Sequence, residues 1–287
     1  MSGVASIDLN ADLGEGFGPW RMGEDEALLD VLTSANVACG FHAGDPTIMA
    51  GTVRLARMRG VDIGAHVGYP DLQGFGRRAM VIDPGELADL VVYQLGALAA
   101  LARVAGYRMT HMSFHGALGN KVAQEDALAE VLVGAVASFD DSLIVSTSPS
   151  EAIESAARRH GLRIARTFLA DRACDAKGLL IPRGMPGAVI SDPDTVLARV
   201  RQLLNDGSVT SYGGEAIKMS VHSILLHGDT PSALDLARRV RSEIEARGTQ
   251  LVPISRQVPA GDVTAAPVPA GDVTAAAVPV GVADAVR

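Results

Sequence analysis

Short apolar runs alternate along this chain with longer stretches of helical periodicity. The runs occupy residues 7–13, 37–41, 61–67, 109–114, 143–146, 164–169, 179–181, 217–226 and 251–254. Apolar runs bounded by glycine or turn residues are the pattern of buried strands. Between them, Asp45-Pro46, Asp83-Pro84, Ser148-Pro149, Asp192-Pro193 and Thr230-Pro231 each precede a helical pattern. The first residue of such a pair accepts orphan backbone N–H bonds, and proline in the first helical position gives none up. Gly60, Gly106, Gly161 and Gly248 stand where helices stop. Strand–helix alternation predicts parallel strands joined by crossover helices. Seven or eight usable strands predict an α/β fold, a TIM-like (β/α) barrel of seven strands. An open doubly wound sheet is the alternative, because closure is not visible in a sequence.

After residue 254 the texture changes. The segment 258–266 (Val-Pro-Ala-Gly-Asp-Val-Thr-Ala-Ala) recurs at 268–276. Two copies are too few for a solenoid, and this composition offers no periodic apolar face. The expected division is a barrel domain over 1–255 and a disordered tail over 256–287.

Polar residues at strand ends carry the candidate chemistry. His42, His66, His115 and His227 each end an apolar run and are followed within two residues by glycine. The C-terminal ends of strands are where α/β folds keep their sites, so four such ends far apart in sequence suggest one site. The first strand alternates strictly: Asp8, Asn10 and Asp12 share one face, Ile7, Leu9, Ala11 and Leu13 the other. A solvated edge strand would look the same. In a barrel, the polar face points inward. Asp45 is first a helix cap and second a ligand. Arg77-Arg78, Asp171-Arg172 and Arg183 are solvated charges or grips for a carboxylate or phosphate. Asp229 follows His227 at the last of these strand ends. The segment Gly14-Glu15-Gly16-Phe17-Gly18 lacks the lysine and Ser/Thr of a phosphate loop and is expected to be a mobile loop or lid. His111, His160 and His222 lack the glycine context and have weaker claims.

Composition narrows the classes. Hydrophobic residues make up 48% and aromatics 4%, which suits an Ala/Val/Leu-rich α/β core. A net charge of −8 gives no electrostatic case for nucleic acid or an anionic membrane. Cys39 and Cys174 form no metal-type spacing, and the N-terminal residues show no signal peptide, so a cytoplasmic protein is expected. The apolar stretch 87–104 contains Asp89, Gln94 and Arg103 and is expected to be a buried amphipathic helix.

The strings at 8–18 (Asp-Leu-Asn-Ala-Asp-Leu-Gly-Glu-Gly-Phe-Gly), 35–46, 64–71, 74–78, 115–118, 170–172 and 227–231 resemble the LamB/YcsF family in order, from about residue 6 to residue 254. This is the family of the A subunits of bacterial ATP-dependent 5-oxoprolinase. The resemblance implies a barrel related to the glycoside hydrolase/deacetylase barrels. It also implies work with partner subunits B and C, opening 5-oxo-L-proline to L-glutamate with ATP as co-substrate. Ala11, Ser113-Phe114 and Gly119 depart from the family's usual cysteine, Lys-Pro and tyrosine. A five-membered lactam recloses through the high effective molarity of its own amine, which explains coupling to ATP. With no phosphate loop here, activation on a partner is expected. The candidate catalytic residues are Asp12, His66, Asp8 and His115, with Asp12 or His66 activating water. Asn10, His42, Asp45, Arg77, Arg78, Asp171, Arg172, Arg183, His227 and Asp229 are candidates for substrate binding. No tightly bound cofactor is expected, and a divalent metal would enter with ATP. Competing classes are a metal-dependent amide or ester hydrolase or deacetylase on the same barrel, and a non-catalytic small-molecule-binding subunit. No two histidines sit at an i, i+4 spacing within a predicted helix, so a metal ligand set is not expected from the sequence.

Overall fold

The computed structural model describes residues 4–229 and 232–259. In chain order the strands are β1 (Ser6–Leu13), β2 (Ser34–Ala38), β3 (Asp62–Val67), β4 (Met109–Phe114), β5 (Ile144–Thr147), β6 (Arg163–Leu169), β7 (Ser208–Thr210), β8 (Ala216–Lys218), β9 (Ser223–Leu226) and β10 (Gln250–Leu251). The helices are α1 (Asp25–Leu29), α2 (Pro46–Arg59), α3 (Pro84–Val104), α4 (Gly116–Val122), α5 (Asp126–Phe139), α6 (Glu151–Arg159), α7 (Pro193–Asp206), α8 (Ala233–Ala246) and α9 (Ile254–Gln257). Seven parallel strands close a barrel in the order β1-β2-β3-β4-β5-β6-β9, with β9 pairing back onto β1. The short β10 extends the start of β1, and β7–β8 form an antiparallel hairpin outside the ring. The open sheet is thereby excluded and the seven-stranded barrel holds.

The expected punctuation holds at most ends. Asp45, Asp83 and Asp192 cap α2, α3 and α7, each followed by proline, and glycines 60, 106, 161 and 248 sit at positive φ past helix ends. For α6 the cap is Ser150, whose Oγ accepts from Ile153 N at 3.3 Å, two residues beyond Ser148-Pro149. The Thr230-Pro231 pair lies outside the described residues. Helix α3 is long and apolar enough to cross a membrane by length and composition. It packs instead along β3, β4 and α5, and the buried Gln94 in its middle exchanges hydrogen bonds with the backbone of Gly68.

Three expected strands are corrected. Residues 37–41 give way to β2 at Ser34–Ala38, because Ser34 and Asn36 belong to the strand and face a polar interior. Residues 179–181 form no barrel strand, and Leu180 only bridges to Cys174. The run 217–226 splits into β8 and β9.

Two apolar layers result. Ile7, Leu9, Ala11 and Leu13 point outward and join the main core between strands and helices. The second, small cluster closes the N-terminal end: Ile254 and Val258 pack on Ile144 and Ala165, while Ile254 N donates to Ser34 Oγ at 3.0 Å. Packing therefore continues to Val258, past the expected boundary at 255, because α9 is the barrel's plug. Residues 260–287, most of the expected disordered tail, lie outside the described residues.

The barrel interior is polar where most such barrels are filled by branched aliphatics. Its lowest polar group is Asp8, fully buried, which accepts from Thr33 and Ser34 on Oδ1 and from Ser223 on Oδ2, each at 2.6 Å. Burial pushes its carboxyl up from 3.8 to about 6, against the lowering effect of those hydroxyls.

Both ends of this packing can be measured. Replacing the fully buried Ile254 with alanine should cost about 2–5 kcal/mol in urea unfolding, the ordinary cost of a buried aliphatic truncation. The raised Asp8 carboxyl binds its proton more tightly in the folded chain, so its contribution to stability is complete below about 3.8 and lost as pH rises through about 6. The stability of the wild type relative to Asp8→Asn should therefore fall by roughly 3 kcal/mol across that window. A flat difference would show that the carboxyl titrates normally.

Candidate active site

Strand β1 lifts Asp12 to the C-terminal mouth of the barrel, roughly 13 Å along the strand from Asp8 at the usual rise per residue. Asn36 on β2 donates from Nδ2 to Asp12 Oδ1 at 2.8 Å. His66 at the end of β3 brings Nε2 to 3.4 Å from Asp12 Oδ2. Ser113 on β4 places Oγ 2.7 Å from His66 Nδ1. His115 follows β4, with Nδ1 2.9 Å from His66 Nε2 and Nε2 2.8 Å from the Phe75 carbonyl oxygen.

This chain of bonds fixes the tautomers. A carbonyl oxygen only accepts, so His115 carries its proton on Nε2 and its Nδ1 is a lone pair. His66 then donates from Nε2 toward His115 and Asp12, and its Nδ1 accepts the Ser113 hydroxyl proton. Phe75 holds the arrangement from outside. It adopts φ 54°, a conformation strained for an aromatic residue, between Gly74 and Gly76.

His42 is stacked on His115, with ring centroids 3.8 Å apart and planes 8° from parallel. It is fully buried, and neither ring nitrogen has a hydrogen-bond partner among the described residues. Its Nε2 lies 3.7 Å from Glu15 Oε1. Glycines make room for these rings. A Cβ on Gly68 would come within 2.7 Å of His42 Nδ1, and one on Gly76 within 2.7 Å of the His115 ring and of His42 Cβ. The loop 14–18 is pinned, contrary to the mobile lid expected of it. Gly44 N donates to Gly16 O at 2.9 Å, Gly14 N to Asp25 at 2.9 Å and Gly18 N to Asp45 at 2.8 Å.

Charged groups form the opposite wall. His227 Nδ1 lies 2.8 Å from Asp171 Oδ2, and Arg77 donates to Asp229 at 2.7 Å. Arg172 is braced by the carbonyls of Ala188 and Ile181. Burial and the nearness of Arg183 lower the Arg172 guanidinium, and burial and Arg77 do the same for Arg183, so the three cations converge. His227, Arg77, Arg172 and Arg183 line a cavity of about 590 Å³ that also touches Asp12, His66, Ser113 and His115. A larger cleft of about 760 Å³ on the flank, lined by Glu154 and Arg166, lies away from this chemistry and is not the site.

Burial sets the charge states. It alone would raise Asp12, but the charge of His66 and the hydrogen bond to it outweigh burial and hold the carboxyl well below its usual range. Burial, then the like charges of Asp12 and Asp229, push Glu15 well above the usual range. Burial and neighbouring imidazoles lower His42 and His115, which are neutral at physiological pH. For His227, burial is overcome by Asp171, and the net shift is upward.

Ten of the expected residues meet here: Asp12, His42, His66, Arg77, His115, Asp171, Arg172, Arg183, His227 and Asp229. Four do not. Asp8 is a buried structural carboxylate near the plug. Asn10 lies a layer below the mouth, donating to Asn36 Oδ1 at 3.4 Å. Asp45 is committed to capping α2, and Arg78 to an outward ion pair with Asp71. Sequence reasoning missed Glu15, Asn36 and the bonding role of Ser113. The alternation Ser34-Ala-Asn36 was a signal for Asn36; nothing local marked Glu15, which lies past the end of its strand. A spacing of i, i+4 along one helix is also blind to clusters built from different strand ends of a barrel. Glu15, His42, His66 and His115 place one potential ligand atom each within 4.8 Å of the others.

His111 fills the layer beneath, with Nε2 3.1 Å from Asn36 Oδ1, and a Cβ on Gly64 would strike its ring at 2.2 Å. Gly64→Ala should therefore destabilise the fold by about 1–3 kcal/mol, the range for overpacking. Adding His111→Ala should recover part of that loss in a thermal-unfolding cycle. Additive losses would show that the glycine serves another purpose.

Comparison with known proteins bears on the family and the fold. The LamB/YcsF family profile matches residues 7–259. The 5-oxoprolinase A subunit 1 of Pseudomonas syringae pv. tomato is 62% identical over 250 residues, 87% of this chain and 98% of that protein. The 5-oxoprolinase A subunit 2 of Ralstonia nicotianae is 60% identical over 252 residues, 88% of this chain and 97% of that protein. A lactam utilization protein from Thermus thermophilus superposes with a TM-score of 0.80 at 38% identity, covering 86% of this chain and 99% of that one. With a matching profile across most of its length and relatives this similar, the chain belongs to the LamB/YcsF family.

Proposed function

We propose that this chain is the A subunit of an ATP-dependent 5-oxoprolinase, opening 5-oxo-L-proline to L-glutamate together with partner subunits B and C. The relatives named as 5-oxoprolinase A subunits match it over nearly their whole length. The observation that carries the chemistry is the Asp12–His66–Ser113 chain facing the guanidinium wall across one cavity. Arg172 and Arg183 pair with the substrate carboxylate, and Arg77, already joined to Asp229, borders the same space.

Asp12 is a poor proton acceptor because its carboxyl lies so far below neutrality. His66 is the better base. The attacking water gives a proton to Ser113 Oγ as Ser113 passes its own to His66 Nδ1, and anionic Asp12 stabilises the resulting imidazolium. The water oxygen bonds to the lactam carbonyl carbon, the C–N bond breaks, and the ring nitrogen takes up a proton to become the amine of glutamate. Transfer of the γ-phosphoryl group of ATP to the lactam oxygen comes first and releases ADP. Ring opening by water then leaves γ-glutamyl phosphate, which a second water hydrolyses to L-glutamate and inorganic phosphate, so the opening is drawn forward. The sequence lacks a phosphate loop, so ATP belongs to a partner. Buried, unpaired Cys39 and Cys174 suit a reducing, cytoplasmic setting.

Reconstitution tests this reading. The chain, its B and C partners, 5-oxo-L-proline and Mg-ATP are combined, and glutamate and ADP are followed. The chain alone should be nearly inactive, and both partners should restore turnover. Asp12→Asn should lower kcat by roughly 10²–10⁴-fold while circular dichroism stays unchanged. Full activity of the isolated chain without ATP would identify a self-sufficient hydrolase instead.

A further inference from the structure

The geometry points to a divalent transition-metal site of the zinc class, formed by Glu15, His42, His66 and His115 at the mouth of the barrel. Four potential ligand atoms lie within 4.8 Å of one another, and all four side chains are buried. A nitrogen-rich set with one carboxylate suits zinc and its neighbours in the first transition row, not magnesium or calcium.

Three features separate this cluster from a chance gathering. First, the outer nitrogens of two imidazoles are already anchored: His66 Nδ1 to Ser113 Oγ at 2.7 Å and His115 Nε2 to the Phe75 carbonyl at 2.8 Å. Metal-bound histidines are held in this way, with the second nitrogen on a hydroxyl, carbonyl or carboxylate. Their inner nitrogens, His66 Nε2 and His115 Nδ1, face each other at 2.9 Å. Second, His42 is buried with both ring nitrogens unpartnered among the described residues, and its Nε2 lies 3.7 Å from Glu15. A buried polar atom without a partner is costly, and an ion between these groups gives that lone pair one. Third, Asp12 Oδ2 stands 3.4 Å from His66 Nε2, adding negative charge beside the site.

Binding moves one proton and two rings. His66 shifts its single proton from Nε2 to Nδ1, where it donates to Ser113 Oγ, and its Nε2 becomes a free lone pair. The hydrogen bond between His66 and His115 is exchanged for two bonds to the ion. The stacked rings of His42 and His115 have nearly parallel planes, so they fan apart for both lone pairs to converge. The site stands whether or not the chain acts on 5-oxoproline, because it rests on side chains alone.

The full chain, stripped with a chelator and dialysed, is titrated with Zn²⁺ by calorimetry and with Co²⁺ by visible absorption. One equivalent should bind, with a rise in the thermal midpoint and a Co²⁺ spectrum of low-symmetry nitrogen–oxygen coordination. Glu15→Gln, which keeps the side chain's size, and His42→Ala should each weaken binding at least tenfold, with folding checked by circular dichroism. His160→Ala, which removes a histidine at the end of α6 far from the mouth, should leave the stoichiometry at one. Absence of stoichiometric binding, or binding indifferent to both Glu15→Gln and His42→Ala, would overturn the site.

Discussion

One side-chain amide ties the interior of this barrel together. Asn36 donates from Nδ2 to Asp12 Oδ1 at 2.8 Å, while its Oδ1 lies 3.4 Å from Asn10 Nδ2 and 3.1 Å from His111 Nε2. Strands β1, β2 and β4 thus meet at a single group whose donor and acceptor ends cannot be exchanged without losing bonds. A polar interior is costly unless its members are satisfied, and this network meets much of that demand. It also fixes which oxygen of Asp12 faces His66.

The same interior separates structural from chemical carboxylates. Asp8 and Asp12 are two turns of pleat apart on one strand face, yet their environments drive them in opposite directions. Asp8 is ringed by hydroxyls and sealed by the plug of Ile254 and Val258, and burial raises it to about 6. Asp12 accepts from Asn36, lies 3.4 Å from His66 Nε2 and has His227 nearby, and these polar and cationic partners keep it ionised. A charge near a cationic partner survives burial; one among neutral hydroxyls partly surrenders it. The division places reactive charge at the C-terminal mouth and leaves the N-terminal end to stability.

Glycine is the second device. Gly64, Gly68 and Gly76 stand where a Cβ would collide with His111, His42 or His115. Three missing side chains allow three imidazole rings to occupy a space that aliphatic residues would otherwise fill. The strain at Phe75 belongs to the same economy of space, since its turned carbonyl fixes the His115 tautomer.

Residue order alone was enough for the barrel class, the helix starts at Asp45, Asp83 and Asp192, and the gathering of His42, His66, His115 and His227 at strand ends. Those features are local: period-two alternation, capping chemistry and a glycine after an apolar run are written within a few residues. It also carried the family likeness, through ordered motifs. The folded chain settled the rest. Closure of β9 onto β1 depends on strands more than 200 residues apart. The demotion of Asp8 to a structural carboxylate follows from Ser223 and a plug at residue 254, neither visible from β1. Glu15 joins the histidines only because Gly16 and Gly18 tie its loop to Gly44 and Asp45. Asp12 and Asp45 look alike on paper, each an aspartate near a strand end. One is held at the mouth by Asn36 and His66, the other is spent on the first turn of α2, and only the fold could choose between them, because burial and partners are properties of contacts distant in sequence.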